Sequence, residues 1–415
     1  LSAMLLMQAV CGCGGAASSG TSSASASTDS TASKSSEKAV IVTDEQDFTH
    51  ENGITRLAKE IYGDLNVEFF VLSEDAQERE TQISSLRVEI MAGGGPDGYL
   101  LSSPTSNMTF NGEGHPAALF PDVQRTMQSG AFLPLDDYIK ESEYLRSEDH
   151  FAPVFDTGKT DEGQVVLPIT YYASVFLLDK AQLADPDFTP KTWDELVNCE
   201  DTAVLKVVRN NLYTWCGAGI PRIADYATEK TILTEENLTA QFENLLAMPA
   251  SESFDEETAL IQSGSYAQTD EGMAYYAQNK DTVNALAIPN TEGGVTAFIT
   301  SYAAINRNSP KADEVFRFFE LLFSDEAQID TETVNDARGT LLMLGNQNSF
   351  LTHKNAYLQP ELLESVQSRV NAVRFYSVMD YTIYDTATTL TWEENPDCAA
   401  AAHSVMEALQ TRLSE

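Results

Sequence analysis

Cysteine is scarce in this chain, with five in 415 residues. Two of them, Cys11 and Cys13, stand close to the start. The others, Cys199, Cys216 and Cys398, are too few to frame a body of this length, which must rest on its hydrophobic cores instead of a disulfide framework. A Cys199–Cys216 bridge and two free thiols both remain open. Cations are thin as well: 25 Lys and Arg face 63 Asp and Glu, for a net charge of −38. No nucleic acid is expected as a partner, because a phosphate backbone demands clustered Lys and Arg. Acidity by itself speaks to solubility. Beyond the start of the chain no apolar run reaches the roughly 18 residues that a membrane-spanning helix needs. The five histidines include no two at metal-ligand spacing. There is no H-E-x-x-H, G-x-S-x-G, Walker, C-x-x-C or EF-hand pattern. Neither a metal, a cofactor nor a catalytic centre is expected.

What is present begins with Ala3-Met4-Leu5-Leu6-Met7-Gln8-Ala9-Val10, an apolar stretch that runs into Cys11-Gly12-Cys13-Gly14-Gly15. It is too short to span a bilayer. A short apolar segment ending at a cysteine among small residues resembles the lipobox of a bacterial lipoprotein signal, with a charged segment expected upstream. Gly12 directly before Cys13 suits the small-residue requirement better than Val10 before Cys11. Cys13 is therefore the expected lipidation site and Cys11 the alternative. Residues 1–12 read as signal remnant and residues 13–37 as a tether. The tether's small polar residues bury too little apolar surface to offset the entropy of ordering. As a random coil it would span about 25–30 Å.

The body opens with Ala39-Val40-Ile41-Val42, a buried-strand pattern, and then a helical period over Gly53–Tyr62. A second strand is predicted over Asn66–Leu72. The next helix carries Ile83, Leu86 and Ile90 on one face and stops at Gly93-Gly94-Gly95. Tyr99-Leu100-Leu101 reads as a third strand. This rhythm predicts an α/β fold with a mainly parallel sheet flanked by helices. Ligands bind beyond the carboxyl ends of such strands, which singles out Asp44, Ser102 and Ser103. Thr192-Trp193-Asp194-Glu195 predicts a capping box, Ser309-Pro310 a helix start, and Val204–Val208 a further strand. Arg374-Phe375-Tyr376 reads as the beginning of a late helix.

Several segments, taken in order, resemble the extracellular solute-binding proteins of ABC importers, in particular the maltose-binding-like group. Ala92-Gly93-Gly94-Gly95-Pro96-Asp97 is similar to its A-G-x-x-P-D element, and Gly130–Ile139 to its G-x-L-x-x-L-x-x-Y-I segment. Val165–Ile169 with Leu177-Leu178-Asp179-Lys180 resembles its first crossover. Pro190-Lys191-Thr192-Trp193-Asp194-Glu195-Leu196 matches P-x-T-W-D-E-L closely. Residues 299–328 and 399–415 resemble the second crossover and the terminal helix. The likeness covers essentially Ala39–Glu415.

The resemblance implies a two-lobe, periplasmic-binding-protein-like fold of type II. Lobe one would comprise 38–170 and 300–339, and lobe two 173–298 and 341–415, joined by hinge segments that close on a ligand. It implies a non-enzymatic, lipid-anchored binding subunit, monomeric, facing the cell exterior. Its partners would be a small-molecule solute, with a sugar or oligosaccharide favoured, and a membrane permease. Sugar sites need flat apolar faces and polar side chains for hydroxyls. The expected ligand-binding residues are Tyr213 and Trp215 after Val204–Val208, Glu271 and Tyr275 after another strand, Tyr171 and Tyr172 in the hinge, Tyr376, and in lobe one Asp44, Ser102 and Ser103. An exported carbohydrate-active enzyme and a surface-adhesion lipoprotein are the alternatives.

Overall fold

The computed structural model describes residues 38–104, 117–211, 217–250, 261–266, 270–329, 335–345, 348–357 and 360–414. The chain starts with the strand Ala39–Thr43, parallel to Val67–Val71 on one side and to Gly98–Ser102 on the other. Two helices make the intervening connections. Gly53–Tyr62 is fixed by a capping box between Asn52 and Thr55. Ala76–Met91 starts at the Asp75 cap and turns its Ile83 and Leu86 inward. It ends before Gly93 and Gly95, both at positive φ, where glycine alone carries no Cβ penalty. This is the strand–helix rhythm predicted from the apolar periods, and the fold class is the α/β one expected.

Seven strands make the main sheet. From one edge inward lie Val67–Val71, Ala39–Thr43, Gly98–Ser102, Val295–Ile305, Leu167–Ala173 and, at the far edge, Phe350–Leu351. Val370–Phe375 pairs with Val295–Ile305 in parallel. That eleven-residue strand is buried at every position, and its two halves have different neighbours. Residues Val295–Ile299 lie beside Val370–Phe375, whereas Ser301–Ile305 lie against Gly98–Ser102. The hand-over falls at Thr300. A second hand-over falls at Ser174, which is buried. The strand Leu167–Ala173 ends there, and Val175–Asp179 continues as the middle strand of a separate sheet, antiparallel to Ile261–Tyr266 and Val283–Ala287. Hydroxyls join the strand Leu167–Ala173 to the first hand-over. Thr170 Oγ1 lies 2.7 Å from Thr300 Oγ1 and 2.6 Å from Ser301 Oγ, and Thr300 lies 2.8 Å from Ser349 Oγ.

Two hydrophobic clusters back these sheets. The first gathers Tyr99, Phe132, Phe318, Phe319 and Phe350 around the main sheet. The second gathers Phe176, Trp193, Phe242, Met379 and Leu409 between the small sheet and the helices Glu235–Ala247, Val378–Trp392 and Cys398–Ser414. Each buried side chain of this size contributes about 1.5–3 kcal/mol. Leu341, Leu344, Leu362 and Val366, which the resemblance assigns to lobe two, pack in the first cluster.

Four local expectations are corrected. Val204–Val208 is not a strand but lies within the helix Thr202–Asn210. Asp201 accepts the first amides, and Val204, Val207 and Val208 share the buried face at helical spacing. The helix expected at Ser309-Pro310 begins at Ala312. Ser309 instead donates to Asp97 and accepts from the Lys311 amide. Thr192 does cap the helix Trp193–Val197, but Glu195 accepts from the amide of Lys191, one residue before the cap. Arg374 and Phe375 end the strand Val370–Phe375, and the helix begins after the Ser377 cap. Cys199 and Cys398 are free thiols, while Cys216 lies outside the described residues. Among the described residues no helix is long and apolar enough to cross a membrane.

Candidate ligand-binding site

At the carboxyl ends of the first and third strands the expected polar residues do come together. Asp44 forms an ion pair with Arg79, and its other oxygen accepts the Ser102 amide at 3.1 Å. Arg79 also donates to the carbonyl of Ala117. The Ser102 hydroxyl donates to the carbonyl of Leu344 at 2.6 Å. The Ser103 hydroxyl donates to that of Ile299 at 2.5 Å, and the Ser103 amide to Thr300. These side chains tie the strand ends to Leu344 and to the middle of the strand Val295–Ile305, and their bonds run within the protein.

Tyr171 and Tyr172 are neighbours on one strand, so their side chains must face opposite ways. Tyr171 goes into the core, fully buried between Phe151 and Phe350. Its hydroxyl accepts from Gln367 at 2.8 Å, and burial pushes its pKa up. Tyr172 takes the other face and is half-buried. Its ring lies 5.1 Å from Phe298 at an interplanar angle of 22° and 6.1 Å from Tyr376 at 20°. Phe298 and Tyr376 are 4.7 Å apart. Tyr172 thus stacks on two rings that are themselves tilted by 33° to one another, at centroid separations that aromatic quadrupoles favour.

A buried charge pair fixes this group from behind. The Arg374 guanidinium lies 4.6 Å from the centroid of Phe298 and grips Asp380 at 2.6 and 2.7 Å. Asp380 also accepts the amide and hydroxyl of Ser377. Burial works against the Arg374 charge, but Asp380 outweighs it and holds the guanidinium above its ordinary pKa. Gly217 closes the other flank. A Cβ there would sit 2.6 Å from the Tyr376 hydroxyl and 3.1 Å from the Phe298 ring, so only glycine permits this approach.

Tyr213 and Trp215 lie outside the described residues. Glu271 is exposed in the first turn of the helix Asp270–Asn279. Tyr275, on the same helix, packs its half-buried ring against the first hydrophobic cluster. Of the expected residues, the structure brings Tyr172 together with Tyr376, and Asp44 with Ser102. Phe298 and Asp380 join them without having been singled out. Phe298 carries a faint signal, because an apolar run as long as Val295–Ile305 marks a strand buried on both faces. Among the described residues no group of three or more His, Cys, Asp or Glu could hold a metal ion. Phe298 and Tyr376 are buried, so of the three rings Tyr172 alone is left partly accessible.

Several solved structures resemble this one. The sugar-binding protein MalE of Xanthomonas citri aligns at a TM-score of 0.56 and 11% identity, over 91% of this chain and 97% of its own. A chitin oligosaccharide binding protein aligns at 0.55 and 16%, over 91% and 100%. A family 1 extracellular solute-binding protein of Alicyclobacillus acidocaldarius aligns at 0.52 and 12%, over 91% and 98%. At these identities the likeness establishes the fold. The family model for bacterial extracellular solute-binding proteins matches residues 49–329. The chain belongs to that family, the binding-protein type that serves ABC transporters. The curated proteins contain no match.

Proposed function

We propose that this protein is the lipid-anchored, substrate-binding subunit of an ABC importer and that it captures a sugar or oligosaccharide. Two lobes, 38–170 with 300–339 and 173–298 with 341–415, close by bending at the hand-overs near Ser174 and Thr300, with Leu341, Leu344, Leu362 and Val366 moving with the first lobe because they pack in its cluster. The observation that carries this reading is the half-buried Tyr172 ring stacked on Phe298 and Tyr376 between those points. A pyranose presents a C–H face that packs on such a ring. The printed names of similar structures support a sugar: MalE is described as sugar-binding, another binds chitin oligosaccharide, and one from Thermotoga lettingae holds alpha-D-tagatose. Tyr213, Trp215, Glu271 and Tyr275 would complete the site, and the protein acts as a monomer without a catalytic step. Cys13 carries the lipid, with Cys11 as the alternative, and two acyl chains give the stable anchoring that one does not. A membrane permease receives the cargo.

A thermal-shift screen with mono- and oligosaccharides, polyamines and phosphate esters tests the reading, with every stabilising compound recovered and analysed. A stabilising sugar recovered intact supports it. Turnover would make the protein an enzyme, and silence across the panel would overturn the sugar assignment.

A further inference from the structure

The short helix Val123–Gln128 neighbours both hydrophobic clusters. Val123 and Met127 are members of the first cluster. Its other side makes polar contacts with segments that carry the second. The carbonyl of Pro121 accepts the amide of Val378 at 3.1 Å, and the Arg125 guanidinium donates to the carbonyl of Arg412; Val378 and Arg412 precede Met379 and Leu413 of the second cluster. Tyr226, packed against that cluster, shares the lining of a cavity with Asp122. The cavity measures about 130 Å³ and is bounded by Asp122 and Arg125 on one side and by Met379 and Leu409 on the other. A contact made of two separated hydrogen bonds and one polar approach over an incompletely filled gap differs from the dry packing within either cluster. It can part and re-form without exposing a large apolar face, because water replaces each bond at modest net cost.

We propose that the Val123–Gln128 helix is a latch whose contacts with Tyr226, Val378 and Arg412 set the balance between closed and open lobes. This rests on the two-lobe reading above. Asp122, Arg125 and Tyr226 are then positioning residues. They act on ligand affinity through the fraction of molecules that is closed, since apparent affinity scales with the competent population. Asp122 serves twice, as it also caps its own helix through the Arg125 amide.

The test uses the whole protein with no ligand added. Tyr226→Phe keeps the ring and removes the hydroxyl beside Asp122, and Arg125→Ala independently removes the bond to Arg412. For both variants we expect a larger radius of gyration by X-ray scattering. Hydrogen exchange at the Val378 amide should be about tenfold faster, while the amides of Glu235–Ala247 keep wild-type protection. Unchanged scattering and Val378 exchange in both variants would overturn the latch. Equal acceleration at Val378 and across Glu235–Ala247 would also overturn it, by marking general destabilisation. Compaction of the wild type by a sugar tests the two-lobe reading separately, so failure of one is distinct from failure of the other.

Discussion

Tyr171 and Tyr172 show how much one position along a strand decides. The sequence offers two tyrosines in the hinge with nothing to separate them, because alternation places them on opposite faces but does not say which face is the core. The pairing of Phe350 with Tyr171 settles it, and that pairing spans 179 residues of chain. Tyr172→Ala is expected to weaken sugar binding about thirtyfold, about 2 kcal/mol, with little change in melting. Tyr171→Ala should instead cost about 3–5 kcal/mol of stability. Calorimetric titration and melting on the same two variants distinguish them, and equal effects would place both rings in one role. A second residue-scale prediction concerns His150, buried beside Phe155, Phe323 and His353. Burial lowers its pKa to about 4 from 6.5. The unfolded chain takes up this proton near pH 6.5, and the folded one only near pH 4. The stability held above pH 6.5 is therefore lost as pH falls through that window, by about 2–3 kcal/mol. Urea unfolding of wild type and His150→Gln at pH 7 and pH 4.5 should show a shallower decline in the variant.

Among the elements, the early strands and helices were legible because period and cap agree. Gly53–Tyr62 and Ala76–Met91 each combine an apolar stripe with an Asn or Asp cap. Val204–Val208 misleads because its three valines favour a strand locally, whereas the decisive residue is Asp201, three positions earlier. Asp201 does more than cap the helix Thr202–Asn210, since it also accepts the amide of Ala184 at 2.7 Å. Asp201→Ala should cost about 1–2 kcal/mol, read as a lower urea midpoint at unchanged slope. A loss below about 0.5 kcal/mol would show that tertiary packing alone holds this helix. The candidate site was less legible than the fold. Tyr172, Phe298 and the run from Arg374 to Asp380 come from three separate stretches, and no local period announces that they will meet.

At the scale of the whole molecule the predictions are about place and shape. Expressed with a complete signal, the protein should partition into membranes, and Cys13→Ala should release it. Retention in that variant with release in Cys11→Ala would move the anchor to the other cysteine. A sugar that raises the melting temperature should also shrink the radius of gyration with no change in mass. A stabilising sugar that leaves scattering unaltered would argue against hinge closure.

The strand Val295–Ile305 gives the molecule a timetable. Gly98–Ser102 lies next to it in the main sheet, yet about two hundred residues separate the two in the chain. At roughly 5–20 residues per second, the first three strands wait on the order of 10–40 s for their central neighbour to be synthesised. Throughout that interval the buried face around Tyr99 and Leu100 has no lid, and the edge of Gly98–Ser102 has no partner.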